Sequence, residues 1–216
     1  MMFIKDFQKL VLQRILMNHE KTLEYILIVV VVYFVFFLRL DSFHIRTWDE
    51  SIYAVNAYEM NFNGNYFATY CNGHPDLLHS KPLLNIWLQV LFIKVFGFNE
   101  LSIRLPSAIS GGLTAILLFF FMKKNFGRLW GYCSFFVLIT SAGFVTFHTS
   151  RTGEMDALLT LFLFLNNIFF YKIISSEKNT NKNILLYCLF LALAFLTKSF
   201  ACFLFLPAHF FFTFCI

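Results

Sequence analysis

Charged side chains are scarce in this sequence: Asp, Glu, Lys and Arg make up 13% of its 216 residues. A soluble domain carries roughly a quarter. So few charges cannot coat a water-facing surface, which leaves lipid as the solvent for most of the chain. A basic stripe is lacking too. The net charge of +5 is modest and divided along the sequence, so a nucleic-acid partner is excluded. The five cysteines, Cys71, Cys133, Cys188, Cys202 and Cys215, form no CxxC and no disulfide framework. There is no small-residue cleavage site after the first apolar run, which ends in Phe36-Phe37-Leu38. Lys5, Asp6, Lys9 and Arg14 therefore read as a cytoplasmic amphipathic stretch leading into a signal anchor. The absence of a repeated half and of a Gly/Pro-broken pair of spans argues against a transporter.

What is present is apolar. Hydrophobic residues make up 59% of the chain and Phe occurs 32 times. Apolar stretches run over Tyr25–Leu38, Leu101–Met122, Leu129–Thr149, Ala157–Ile174, Ile184–Leu196 and Phe200–Ile216. A helix needs about 20 residues to cross a bilayer core, fewer where it thins the bilayer. The expected fold is all-α: a multi-pass transmembrane helical bundle of about six spans. Residues 41–100 form its first non-cytoplasmic loop, which holds two interfacial helices. The chain ends inside an apolar run and reads as the N-terminal part of a longer bundle, spanning 1–216.

Pro82–Phe96 is the ambiguous segment: about 22 Å long as a helix, with Asn85 and Gln89 on one face, it is either a short span or a helix lying in the interface. Charge bias assigns it. If it lies in the interface, residues 1–24, the Lys123–Arg128 loop and the Lys172–Asn183 loop share one side. That side then carries ten basic and four acidic residues, against seven and eight on the other. This is a positive-inside pattern with a cytoplasmic N-terminus, in a plasma (inner) membrane. It also gathers Asp49, Glu50, Lys81, Arg151, Glu154, Asp156 and Lys198 on the non-cytoplasmic face. Charges beside apolar spans are costly unless paired or functional.

Each motif has a structural and a functional reading. Thr47-Trp48-Asp49-Glu50 has the pattern of a capping box, with Asp49 itself a good cap. The helix after it places Ile52, Val55, Tyr58 and Phe62 near one face and stops at Asn63-Gly64. Equally, a carboxylate held at the membrane surface can act as a general base. In His79-Ser80-Lys81-Pro82, Pro82 suits a first helical position, and Lys81 either snorkels or binds a lipid phosphate at the helix N-terminus. Arg151-Thr-Gly-Glu154-Met-Asp156 is a polar turn whose Asp156 caps the next helix. Alternatively Arg151 pairs a phosphate and Asp156 orients a sugar or a base. His148, Glu154 and Asp156 match no metal-ligand spacing. Lys198 is an interfacial anchor or a second phosphate contact.

Taken in order, WDESIYAVNAYEMNFNGNYFATY, PDLLHSKPLLNIWLQVLFIKVFGFNELSIRLPSA, RTGEMDALLTLFLFL and LAFLTKSF resemble the polyprenyl-phosphate-sugar-dependent membrane glycosyltransferases. These are the GT-C class, with protein O-mannosyltransferase and the lipid A aminoarabinose transferase among its members. The resemblance runs from Trp48 to Pro207. It implies an acidic pair in the first outer loop, matched by Asp49 as base with Glu50 beside it. It also implies a donor-phosphate lysine, matched by Lys81, and an acid after the third span, matched by Asp156. Relatives often carry a second proline where Leu83 stands and a Glu where Ser80 stands. The resemblance implies inverting sugar transfer from a polyprenyl-phosphate-sugar donor lipid, with the leaving phosphate steadied by Lys81 and by Arg151 or Lys198. No metal or cofactor is required, because cationic side chains take that role. The alternative is a non-catalytic membrane protein or an inactive remnant of such an enzyme.

Overall fold

The computed structural model describes residues 22–77, 81–146, 148–175 and 180–215. The expected cytoplasmic stretch before Thr22 and the residues His79 and Ser80 lie outside the described residues, as do Glu177 and Lys178. In chain order the helices are α1 (Thr22–Phe37), α2 (Asp49–Asn63), α3 (Leu84–Phe96), α4 (Glu100–Phe126), α5 (Arg128–Thr140), α6 (Ala142–Val145), α7 (Asp156–Ser175), α8 (Thr180–Lys198) and α9 (Leu206–Cys215). The last turn of α1 is a π-helix over Tyr33–Phe37. A two-residue antiparallel ladder, Tyr70–Cys71 with His74–Pro75, closes a turn between α2 and α3.

By length and composition, three helical stretches are long and apolar enough to cross a membrane: Glu100–Phe126, Asp156–Ser175 and Thr180–Phe211. α1, α3 and α5 are apolar but shorter. The stretch Thr180–Phe211 is not one rod. A straight helix would separate Tyr187 from His209 by about 33 Å, yet the Tyr187 hydroxyl lies 3.1 Å from His209 Nδ1. The chain turns back at Ser199, whose φ is 47°. The stretch expected as one span over Leu129–Thr149 is interrupted at Ser141, which is extended at ψ 108°. There the Thr140 hydroxyl bonds back to the Phe136 carbonyl at 2.7 Å, and side-chain bonds of this kind compete with helix continuation.

α4 is the central element. Its inner half presents Ala115 and Phe119 to Ile28, Val32 and Phe36 of α1 and to Phe135 of α5. Its first turns present Ile103 to Ala54, Ala57 and Met60 of α2 and to Ile86, Val90 and Ile93 of α3. Between these regions Ser107, Ala108, Ser110, Gly111 and Gly112 are buried. Small residues let neighbouring backbones approach closely without a hydrophobic driving force in lipid.

Ion pairs and hydrogen bonds mark the two ends of the bundle. At one end Glu24 of α1 meets Lys123 (2.7 Å), Arg128 (3.4 Å) and the Tyr132 hydroxyl (2.9 Å). At the other, Arg151 reaches the carbonyls that end α1, and Lys198 of α8 meets Asp156 of α7. The start of α1 and the Lys123–Arg128 connection therefore share one end. The residues singled out in the outer motifs gather at the other, with Lys81 preceding the helix that packs there against α2 and α4.

Candidate active site

α2 starts at Asp49, but not through the expected capping box. Its N-cap is Trp48, held at φ 93°, and no side chain caps the helix. Glu50 turns away from Thr47 and into the protein, where its side chain is fully buried. It accepts from Arg104 Nε at 2.7 Å and Nη2 at 3.2 Å, from the Arg46 amide at 2.7 Å and from the Gly153 amide at 2.8 Å. Burial alone pushes the Glu50 carboxyl up. The Arg104 bond and the two backbone donors outweigh it and hold the group below its ordinary value. Glu50 is thus a buried anion that ties α2 to α4 and to the loop before α7.

Arg104 completes this knot. Its remaining N–H groups donate to the carbonyls of Leu40 (2.9 Å), Phe43 (2.7 Å) and His44 (2.9 Å), so all five are used. The incoming segment between α1 and α2 is therefore fixed from beneath. Gly153 sits where a Cβ would stand 2.5 Å from Ile103 Cγ2 and 3.3 Å from Gln89 Nε2. Gln89, fully buried on α3, donates to the Gly153 carbonyl at 2.8 Å and to the Ile103 carbonyl at 3.2 Å. The polar face of α3, Asn85 and Gln89, is turned into protein, while Leu91 and Val95 are exposed.

Asp49, half-buried, makes no hydrogen bond or ion pair among the described residues. Its surroundings are acidic. Tyr53, one turn on, is buried; its hydroxyl is pushed well above the ordinary value by burial first, then by the charges of Asp49, Glu154 and Asp156. Glu154 is buried and its carboxyl is raised. Burial dominates, the bond from His148 Nδ1 (2.8 Å) opposes it, and the charges of Asp49 and Asp156 add to it. Asp156 at the start of α7 is bound by Lys198. The charges of Asp49, Glu154 and Asp156 thus all act on Tyr53, and Lys198 is the cation paired with Asp156.

The other two sequence candidates make no hydrogen bond or ion pair with this cluster among the described residues. Lys81 is half-buried, three residues before α3, and makes no hydrogen bond or ion pair among the described residues. Arg151 donates to the carbonyls of Val35 and Leu38, both at 2.7 Å, and so closes the end of α1. Arg104, Tyr53 and Gly153 are not among the residues that the sequence motifs single out. Arg104 had a signal, since it lies inside the apolar stretch Leu101–Met122, where a charge needs a partner. Tyr53 and Gly153 had none.

These features, on a helical membrane bundle with acids and cations gathered at one end, are those of a glycosyltransferase of the GT-C class. The chain belongs to the family described as dolichyl-phosphate-mannose-protein mannosyltransferase, whose model matches residues 80–215. It is 29% identical over 177 residues to the undecaprenyl phosphate-alpha-4-amino-4-deoxy-L-arabinose arabinosyl transferase of Aeromonas hydrophila subsp. hydrophila, covering 78% of this chain and 31% of that protein. It is 26% identical over 125 residues to the putative mannosyltransferase YkcB of Bacillus subtilis (strain 168), covering 58% of this chain and 17% of that one. The fold matches that of ArnT from Cupriavidus metallidurans in the apo state, with a TM-score of 0.73 and 21% identity over 87% of this chain and 35% of ArnT. The same protein bound to undecaprenyl phosphate matches with a TM-score of 0.66. The chain spans about a third or less of the length of each of these proteins.

Proposed function

We propose that this chain carries the donor-side half of a catalytic centre that transfers a sugar from a polyprenyl-phosphate-linked donor to an acceptor at the non-cytoplasmic membrane face. The observation that carries this reading is the contrast between two adjacent carboxylates. Glu50 is held by four hydrogen bonds and Asp49, beside it, by none among the described residues. A base needs an open lone pair and a fixed mount, and Glu50 supplies the mount. Family membership supports the reaction class, and the undecaprenyl phosphate bound to ArnT supports the donor lipid.

In this scheme Asp49 takes the proton of the acceptor hydroxyl. The acceptor oxygen attacks the anomeric carbon from the face opposite the phosphate, with inversion. The bond between that carbon and the phosphate oxygen breaks, and its electron pair leaves on the polyprenyl phosphate. Lys81, which has no partner among the described residues and precedes α3, meets that developing charge. Asp156, oriented by Lys198, and Glu154 face the sugar hydroxyls. Glu50 acts as a positioning residue. The N-terminus lies on the cytoplasmic side, so this end of the bundle opens outwards from the plasma membrane.

The test is a polyprenyl-phosphate-sugar transfer assay in reconstituted membranes. Asp49→Asn keeps size while removing the basic carboxylate, and is expected to lower the rate by about 10²–10⁴-fold. Lys81→Ala is expected to weaken undecaprenyl phosphate binding, read by native mass spectrometry, as well as to slow transfer, because the phosphate is present in ground and transition states alike. Near-full activity of Asp49→Asn would remove Asp49 from the reaction.

A further inference from the structure

A cavity of about 110 Å³ opens between the end of α1 and the segment after α6. Four of the residues that line it are arginines: Arg39, Arg46, Arg104 and Arg151. Among the described residues, no carboxylate lines it. Arg104 and Arg151 form the more buried part, and Arg39 and Arg46 stand exposed at the mouth. Arg104 is paired from behind by Glu50, with its five N–H groups engaged, so it acts on the cavity through its charge. Arg151 loses proton affinity, first through burial and then through repulsion from Arg104. Arg39 and Arg151 bring positive charge to a space that no carboxylate lines among the described residues, and such a space favours an anion.

The position selects the anion. A helix C-terminus normally repels negative charge. Here Arg151 covers the carbonyls of Val35 and Leu38 and reverses the local sign. The cavity lies where the apolar helix α1 ends, which is headgroup depth, and Leu40 and Phe43 give it an apolar wall. Arg39 is held at φ 52°, a backbone region rare for residues with a side chain. Planar guanidinium groups match the oxygens of phosphate better than any other side chain.

We propose that this cavity is a phosphate site, built by Arg39, Arg46 and Arg151 over Arg104, and separate from the sugar-transfer centre. None of Asp49, Lys81, Asp156 and Lys198 lines it. The phosphate comes from a lipid headgroup or from a soluble phosphate. The site does not depend on the transfer reading, and its test measures binding alone.

The full chain in phosphatidylcholine nanodiscs is titrated with dioctanoyl phosphatidic acid, with inorganic phosphate and with dioctanoylglycerol, following thermal stability and native mass spectra. Saturable binding of phosphatidic acid but not of dioctanoylglycerol is expected. Saturation by phosphatidic acid alone identifies a lipid phosphate; saturation by inorganic phosphate as well identifies a soluble one. Arg39→Gln with Arg46→Gln is expected to weaken binding by about tenfold or more, the value of one charge-assisted hydrogen bond. Thr146→Phe fills the cavity without removing a charge and is expected to abolish binding even if the double variant folds poorly. Retention of binding in Lys81→Ala separates the site from the donor phosphate. Binding no stronger than that of dioctanoylglycerol, or equal affinity in the Thr146→Phe chain, overturns the proposal.

Discussion

Lys198, the last residue of α8, closes on Asp156, the first residue of α7, and so joins two adjacent helices at one end of the bundle across 42 positions of sequence. Both side chains are about a third exposed. Water screens the pair, so a double-mutant cycle of Asp156→Asn and Lys198→Met is expected to give a coupling of about 0.2–1 kcal/mol in thermal or chemical unfolding. Zero coupling would mean that the contact is not held in solution and that Asp156 needs another orienting partner.

Glu50 and Arg104 are a different case, because both side chains are shielded from water. Breaking a buried pair from one side leaves an uncompensated charge, and Glu50→Gln or Arg104→Met is expected to cost about 3–5 kcal/mol. The carboxyl of Glu50 is held below its ordinary value of 4.5 in the folded state. Its contribution is therefore fully present above about pH 4.5 and is lost as the pH falls through the lower, folded-state value. Acid unfolding of the wild-type chain should be steeper below pH 4.5 than that of Glu50→Gln. Parallel curves would show that Glu50 does not titrate with folding.

Gly153 and Gly143 offer a paired test of packing at this end. An alanine Cβ at 153 meets Ile103 at 2.5 Å and Glu50 Cγ at 3.2 Å, whereas one at 143 meets nothing within 4 Å. Gly153→Ala is expected to destabilise by about 1–3 kcal/mol through overpacking. Gly143→Ala, in the short helix α6, is expected to be neutral or mildly stabilising. Equal melting temperatures for the two variants would contradict the close approach of α2, α3 and α4 around Gly153.

Orientation in the membrane is tested by cysteine labelling in a cysteine-free background. A membrane-impermeant maleimide is expected to react with Asn65→Cys, in the connection after α2, and not with Asn125→Cys, beside Lys123 and Lys124. The motivation is the excess of basic residues on the side of the N-terminus. Labelling at 125 without labelling at 65 would place Asp49 on the cytoplasmic face.

The sequence by itself determined the solvent of this protein, the period of its elements and the end of the bundle that carries its charges. These follow from local quantities. Too few charges exclude a water-facing surface. Asn63-Gly64 and Phe96-Gly97 end their helices through backbone that only glycine adopts readily, with φ of 67° and 78° at Gly64 and Gly97. The expected parity of spans rests on counting Lys and Arg, and the labelling experiment tests it. Tertiary structure alone decided which of two adjacent acids is engaged. Asp49 and Glu50 share the same helix start, and capping is an adequate local reading of both, Glu50 through a capping box with Thr47 and Asp49 as a cap in its own right. What separates them is Arg104, 54 positions away, and the Gly153 amide, 103 positions away, which converge on Glu50 and leave Asp49 open. The same holds for Arg151. Beside Gly153 in sequence it reads as part of the acidic loop, but the packing of α1 against α4 delivers to it the carbonyls of Val35 and Leu38. A hydrogen bond forms between groups that the fold brings within about 3 Å, and no spacing along the chain encodes that distance once the partners lie on different helices.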